Sequence, residues 1–127
     1  MAMWNINSTD CFNEWFSELE PIEQAEIIAK VNLLKLFGPR LSRPHADTLK
    51  DSKHANMKEL RADTSRSVMR VAFAFDPQRT GILLVAGNKS GVSQRRFYQR
   101  LIEQADELFD EHLESLKPRS KKKGDSE

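Results

Sequence analysis

Residues 68–86 read VMRVAFAFDPQRTGILLVA, two apolar runs separated by a polar break, and their alternation decides the fold. Side chains alternate faces along a strand, so Met69, Val71, Phe73 and Phe75 share one side of the first run. Val68, Arg70, Ala72 and Ala74 share the other. The first set is a core face. The second predicts an open floor of alanines with one cation standing on it. The run GILLVA at 81–86 suits a well-buried strand. Asp76-Pro77 and Gly81 supply turn chemistry, so the two runs should form an antiparallel hairpin.

Upstream, Met57–Arg61 is a short strand candidate with Leu60 toward the core and Glu59 and Arg61 pointing away. Pairing it beside 68–75 brings Arg61 and Arg70 together on the exposed face. Two guanidiniums so placed can clamp a phosphate with planar, paired donors. The simpler alternative is a surface ion pair of Arg61 with Glu59, or of Arg70 with an aspartate. Residues 40–56 are rich in Arg, Pro, His, Asp and Ser and read as loop, with one helical turn near Ala46–Leu49.

At the N-terminus, Trp4-Asn5-Ile6 opens a first short strand, with Ser8, Thr9 and Asp10 as helix caps. Phe12, Trp15, Phe16 and Leu19 recur at helical spacing. Pro21 fits the first position of a second helix, whose apolar set is Ile22, Ala25, Ile28, Val31 and Leu34 or Leu36. Gly38-Pro39 stops it. The two make a helical hairpin. Downstream, Ser93 caps a long helix to about Leu116 with a broad apolar stripe that includes Phe97, Leu101, Ala105 and Leu108.

That helix carries Arg95, Arg96 and Arg100 in its first turns, where the macrodipole is already positive, and Glu111 and Glu114 near its negative end. Cations at an N-terminus make sense if an anion is held there. The preceding Gly87-Asn88-Lys89-Ser90-Gly91 adds Lys89 and accessible backbone N–H groups, although it lacks the glycine-lysine spacing of a P-loop. Asp106, Asp110 and Glu114 lie at i, i+4 and i+8, as on a solvated acidic face.

The chain has 127 residues and a net charge of +1, expected as a single domain over 1–116 with a disordered basic tail over 117–127. The neutral total hides blocks. Residues 38–102 hold 13 basic and 5 acidic side chains, whereas residues 103–116 hold 6 acidic and no basic ones. A basic middle of that density points first to nucleic acid. One cysteine, Cys11, leaves no intramolecular disulfide. With no apolar leader and no run of roughly 20 apolar residues, the expected location is the cytoplasm, with no membrane partner. His45, His54 and His112 have no metal-ligand spacing with Cys11, so neither metal nor cofactor is expected.

The segments SKHANMKELR, RVAFAFDPQRTGILLVAGNKSG and RRFYQRLIEQADELFDEHL together resemble the phage-derived, HigB-like branch of the RelE/ParE toxin superfamily. The likeness runs over roughly residues 4–116. It implies an α+β, RelE-like fold: an N-terminal helical hairpin packed on a small twisted antiparallel sheet, with a long C-terminal helix. It further implies the toxin of a type II toxin–antitoxin system, partnered by a helix-turn-helix antitoxin of the HigA/Xre-like kind. The implied activity is a metal-independent, ribosome-dependent mRNA endoribonuclease (an mRNA interferase) that drives the ribose 2′-OH onto the neighbouring phosphate.

On that reading Arg61, Arg70 and Lys89 form the cationic clamp, and Tyr98 and His54 are the proton-transfer candidates. Arg66, Arg95, Arg96 and Arg100 bind RNA phosphates. Two alternatives stay open: a ParE-like, non-enzymatic gyrase inhibitor, and an RNA-binding module without chemistry.

Overall fold

The strand over Val68–Phe75 lies at the centre of a five-stranded sheet in a computed structural model that describes residues 2–118. In chain order the elements are β1 (Ile6–Ser8), α1 (Asp10–Ser17), α2 (Pro21–Phe37) and a 3₁₀ turn (Gly38–Arg40). There follow β2 (Ala46–Thr48), β3 (Lys58–Asp63), β4 (Val68–Phe75), β5 (Gly81–Asn88) and α3 (Gln94–Ser115). The sheet order is β1-β5-β4-β3-β2. β2 to β5 pair antiparallel in sequence, and β1 joins β5 in parallel, so one edge of the sheet is mixed. Of the disordered basic tail expected over 117–127, Lys117 pairs with Glu114 at 3.2 Å, and residues 119–127 lie outside the described residues.

The alternation of β4 divides the core into two layers. Met69, Val71 and Phe73 face α1 and α2 and pack with Phe12, Ile27, Leu34 and Leu60. Ala72 and Ala74 face the other way, and here the expectation of an open floor fails. α3 lies across them, burying Leu101, Ile102, Ala105 and Phe109. The alanines are small because a helix sits on them. The three large α3 residues contribute roughly 2 kcal/mol each by burial, which outweighs the few tenths of a kcal/mol that a badly placed arginine costs at its N-terminus. A bulge at Ala72/Phe73 shifts the β5 register, so Leu84 and Val85 both reach the α3 layer.

Caps formed where the residues permit them. Thr9 accepts the Phe12 N–H at 3.0 Å, and Glu20 and Glu23 form a reciprocal capping box across the first turn of α2. The turn read near Ala46–Leu49 is instead β2, which gains a partner in β3 with Ala46 opposite Leu60. Pairing to a sheet edge is a long-range event that local composition does not report. The buried face of α2 also differs from its expected set. Ile27 and Leu34 are buried, while Ile22, Ile28 and Leu36 are exposed. The helix is apolar on several sides, so spacing alone did not choose which side turns inward. Gly38 ends α2 at a φ of 59°, and a side chain there would strike the Trp4 indole.

Candidate active site

β3 and β4 place Arg61 directly opposite Arg70 and Glu59 opposite Ala72, all on the α3 side of the sheet. α3 begins just beyond this point, and its second turn lowers Tyr98 onto the same spot. The result is a polar pit centred on Glu59, which is only 3% exposed. The Tyr98 hydroxyl donates to Glu59 Oε1 at 2.7 Å, and Arg61 Nε donates to Oε2 at 3.1 Å. Arg61 also reaches Asp47 of β2 at 3.2 Å. Arg70 is 7% exposed and donates to Asp63 at 2.7 Å and to the Met69 carbonyl at 2.8 Å. Its Nε lies 3.8 Å from Glu59 Oε1 and is buried without a hydrogen-bond partner among the described residues. Lys89 Nζ completes the rim, 3.5 Å from the Tyr98 hydroxyl and 5.1 Å from the centre of its ring.

The electrostatics follow from this crowding. Burial, followed by the Glu59 carboxylate, pushes the Tyr98 phenol up to about 12, so the hydroxyl keeps its proton and donates. Burial, with repulsion from Arg70 next, holds the Lys89 ammonium below the ordinary lysine range. Asp47 is held below the usual carboxylate range, chiefly by the Thr48 N–H.

The pit therefore gathers Arg61, Arg70, Lys89 and Tyr98, but not the remaining residues that the sequence suggested. His54 lies at the far end of α3, hydrogen-bonded to Asp110 at 2.8 Å and edge-on to the Phe109 ring. Asp110 is twelve residues along the helix from Tyr98, which is about 18 Å. Arg66 is exposed in the β3–β4 turn, where its carbonyl accepts from Ser90. Arg95, Arg96 and Arg100 are exposed on α3, Arg95 on one flank and Arg96 with Arg100 on another.

The 87–91 segment is not an anion cradle. Gly87 belongs to β5, and a Cβ there would stand 2.9 Å from the Phe97 ring, so this glycine lets α3 approach the sheet. The backbone N–H groups of Lys89, Ser90 and Val92 are taken by Val68, Asn88 and Lys89. The acidic row of α3 is not merely solvated either. Asp106 accepts from Ser52 at 2.5 Å and from the Lys53 N–H at 3.1 Å, while Asp110 pairs with Lys53 and His54. These carboxylates tie the 52–54 loop to the helix.

Glu59 is the residue the sequence reading passed over as a mere surface partner. Its signal was present, because strand alternation puts it on the same face as Arg61 and Arg70. Among the described residues, no cluster of three or more His, Cys, Asp or Glu is arranged to hold a metal. No helix there is long and apolar enough to cross a membrane.

Comparison with known proteins agrees with this architecture. The Mycobacterium tuberculosis protein named as toxin HigB2 is 42% identical over 113 residues, covering 86% of this chain and 56% of the relative. The chain thus spans little more than half the length of that relative. Toxin HigB3 of the same organism is 42% identical over 102 residues, covering 80% of this chain and 86% of the relative. The free state of an arginine-substituted E. coli toxin RelE shares the fold at a TM-score of 0.59 and 10% identity, covering 81% of this chain and 96% of that one. Residues 14–110 match the model of the phage-derived Gp49-like proteins. This chain belongs to the phage-derived Gp49-like family and is homologous to the HigB toxins, on a RelE-like fold.

Proposed function

We propose that this chain is the toxin of a toxin–antitoxin pair, working in the cytoplasm as an endoribonuclease on mRNA held by the ribosome. An antitoxin partner of the helix-turn-helix kind silences it. The observation that carries the reading is the buried Glu59 carboxylate, bound on one oxygen by Tyr98 and on the other by Arg61. Arg70 and Lys89 stand beside it.

The chemistry needs a base for the ribose 2′-OH, positive charge around the phosphate, and an acid for the departing 5′-oxygen. Tyr98 is protonated at rest and donates to Glu59, so it serves as a relay. Its oxygen takes the 2′-OH proton as its own proton passes to Glu59. The 2′-oxygen then bonds to phosphorus and the bond from phosphorus to the 5′-oxygen breaks. A 2′,3′-cyclic phosphate and a 5′-hydroxyl result. Arg61, the more exposed guanidinium, faces the developing negative charge, with Arg70 behind it. Lys89, held below the ordinary lysine range, gives the leaving oxygen its proton. A phosphate resting on Lys89 and Tyr98, whose Nζ and hydroxyl lie 3.5 Å apart, touches both groups. The 2′-OH is the atom DNA lacks, so RNA is the substrate.

The test is induction of the wild-type chain and of Glu59→Gln in growing bacteria, with mapping of the 5′ ends of cellular mRNA. Growth arrest with new, codon-phased 5′ ends that disappear in the variant is expected. Arrest with intact transcripts overturns the ribonuclease reading and favours a gyrase-type target. Unchanged growth and transcripts leave only RNA binding.

A further inference from the structure

α2 buries only one of its sides. Ile27 and Leu34 turn into the core layer on the face of the sheet away from α3. The opposite side of the helix carries Ile22, Ala25, Ala29, Asn32 and Leu36, at i, i+3, i+7, i+10 and i+14, and all five are exposed. Ile22 is 67% exposed and Leu36 60%, with Ile28 on the flank at 49%. That spacing is the seam of a helix that packs along another helix, here over about 21 Å. Of the five, Asn32 alone is polar. A helix that is apolar on every side is normally covered on every side, and this chain covers only half of α2.

The stripe is complementary to itself. It is bulky at its two ends, Ile22 and Leu36, and small in the middle, Ala25 and Ala29. Laid antiparallel on a second copy with a two-fold axis at Ala29, the alanines let the two backbones approach. Ile22 of each copy then comes level with Leu36 of the other. The charges favour the same direction. Glu18 and Glu20 stand exposed just before α2, whereas Lys35 and Arg40 stand at and just past its end. An antiparallel pair sets the acidic end of one helix against the basic end of the other and opposes the two helix dipoles. A parallel pair sets like charges together. Each copy offers the same patch, so the contact closes on itself at two chains.

We infer that the chain self-associates through the outer face of α2, as an antiparallel two-fold dimer centred on Ala29. The pit lies on the other side of the sheet, under α3, so both copies keep it open. The inference does not depend on the ribonuclease reading.

The experiment is sedimentation velocity of the full chain, free of any partner, over a range from about 1 to about 200 μM. One helix pair is a small interface, so a dissociation constant of about 10 μM is expected. Ala29→Glu and Ala29→Lys each place like charges at the two-fold axis and should weaken association at least about a hundredfold, leaving monomers across the range. Both substitutions introduce good helix formers at an exposed position, so the fold should persist, as circular dichroism will show. Mixing the two variants should restore the dimer, because opposite charges then meet. A wild type that stays monomeric across the range overturns the inference. A dimer that survives both substitutions also overturns it, since another face then holds the copies together. Failure of the mixture to associate overturns the placement of Ala29 on the axis, and with it the inference. If the wild type is monomeric and a co-expressed antitoxin shields α2 from hydrogen exchange, the face belongs to that partner and not to a second copy.

Discussion

The Tyr98 hydroxyl donates to Glu59 Oε1 at 2.7 Å, joining the second turn of α3 to the third strand of the sheet beside the apolar layer they share. In the proposed reaction that bond gives α3 a part in the chemistry as well as in the packing. Glu59→Gln keeps the shape but removes the charge and the proton acceptor, so mRNA cleavage should fall by at least about a hundredfold. The fold should survive, as read by circular dichroism and thermal melting. Glu59→Ala is different. It leaves Arg61 and Arg70 facing an empty buried site and should destabilise the protein by about 3 kcal/mol in denaturant titrations.

His54 is 18% exposed at its side chain and bonded to Asp110, well removed from the pit. His54→Ala should therefore retain cleavage within about threefold of wild type while costing about 1–2 kcal/mol in chemical denaturation, from the lost hydrogen bond and ring contact. A loss of activity larger than the loss of folded protein would return this histidine to the reaction.

Gly87→Ala tests the close approach of α3. The added methyl meets Phe97 at 2.9 Å, and overpacking of this kind costs about 1–3 kcal/mol. Because Phe97 and Tyr98 are adjacent, any displacement that relieves the clash moves the relay hydroxyl. Activity measured on the fully folded fraction should drop about tenfold or more, an effect beyond what stability explains.

Asp76 closes the β4–β5 turn. One carboxylate oxygen accepts from the Gln78 and Thr80 N–H groups and the other is bonded by His112. Burial alone would raise its pKa, but the His112 bond and the two backbone donors outweigh it and hold Asp76 below the usual carboxylate range. A group lowered in the folded state stabilises at pH above its unfolded value, about 3.9, and that contribution is lost as pH falls towards the folded value. Acid unfolding of the wild type should steepen below about pH 4. Asp76→Asn should remove part of that slope and lower stability at neutral pH by about 2 kcal/mol.

In the proposed reaction Lys89 sets a pH signature. As the acid it must be protonated, so cleavage should decline as pH rises through its value, which burial and Arg70 have lowered. The alkaline limb should appear at lower pH than that of an ordinary lysine, near 10.4. Lys89→Arg should slow cleavage and remove the limb, as measured by rates from about pH 7 to about pH 9.5.

Much of the fold was legible in residue order because it depends on local periodicity. The alternation over 68–75, the turn at Asp76-Pro77, the caps at Thr9 and Ser93 and the helix after Pro21 each report on a few neighbouring residues. The pairing of Arg61 with Arg70 was also legible, since two adjacent antiparallel strands with cores on one side leave little freedom in register. The site was half legible. The cations were visible as a basic block, but the carboxylate that organises them looked like an ordinary strand glutamate.

What the sequence by itself determined is the helices and the three longer strands, the inward face of the central strand and the cluster of cations beside it. What only the tertiary structure decided is where α3 lies. Alanines on a strand face are equally consistent with an open surface and with a helix pressed close against it. The docking of α3 on Ala72 and Ala74 buried Glu59, brought Tyr98 to it and took Asp110, with His54, some 18 Å along the helix. Helix docking is settled by the summed burial of residues far apart in the chain, and no short segment carries that sum.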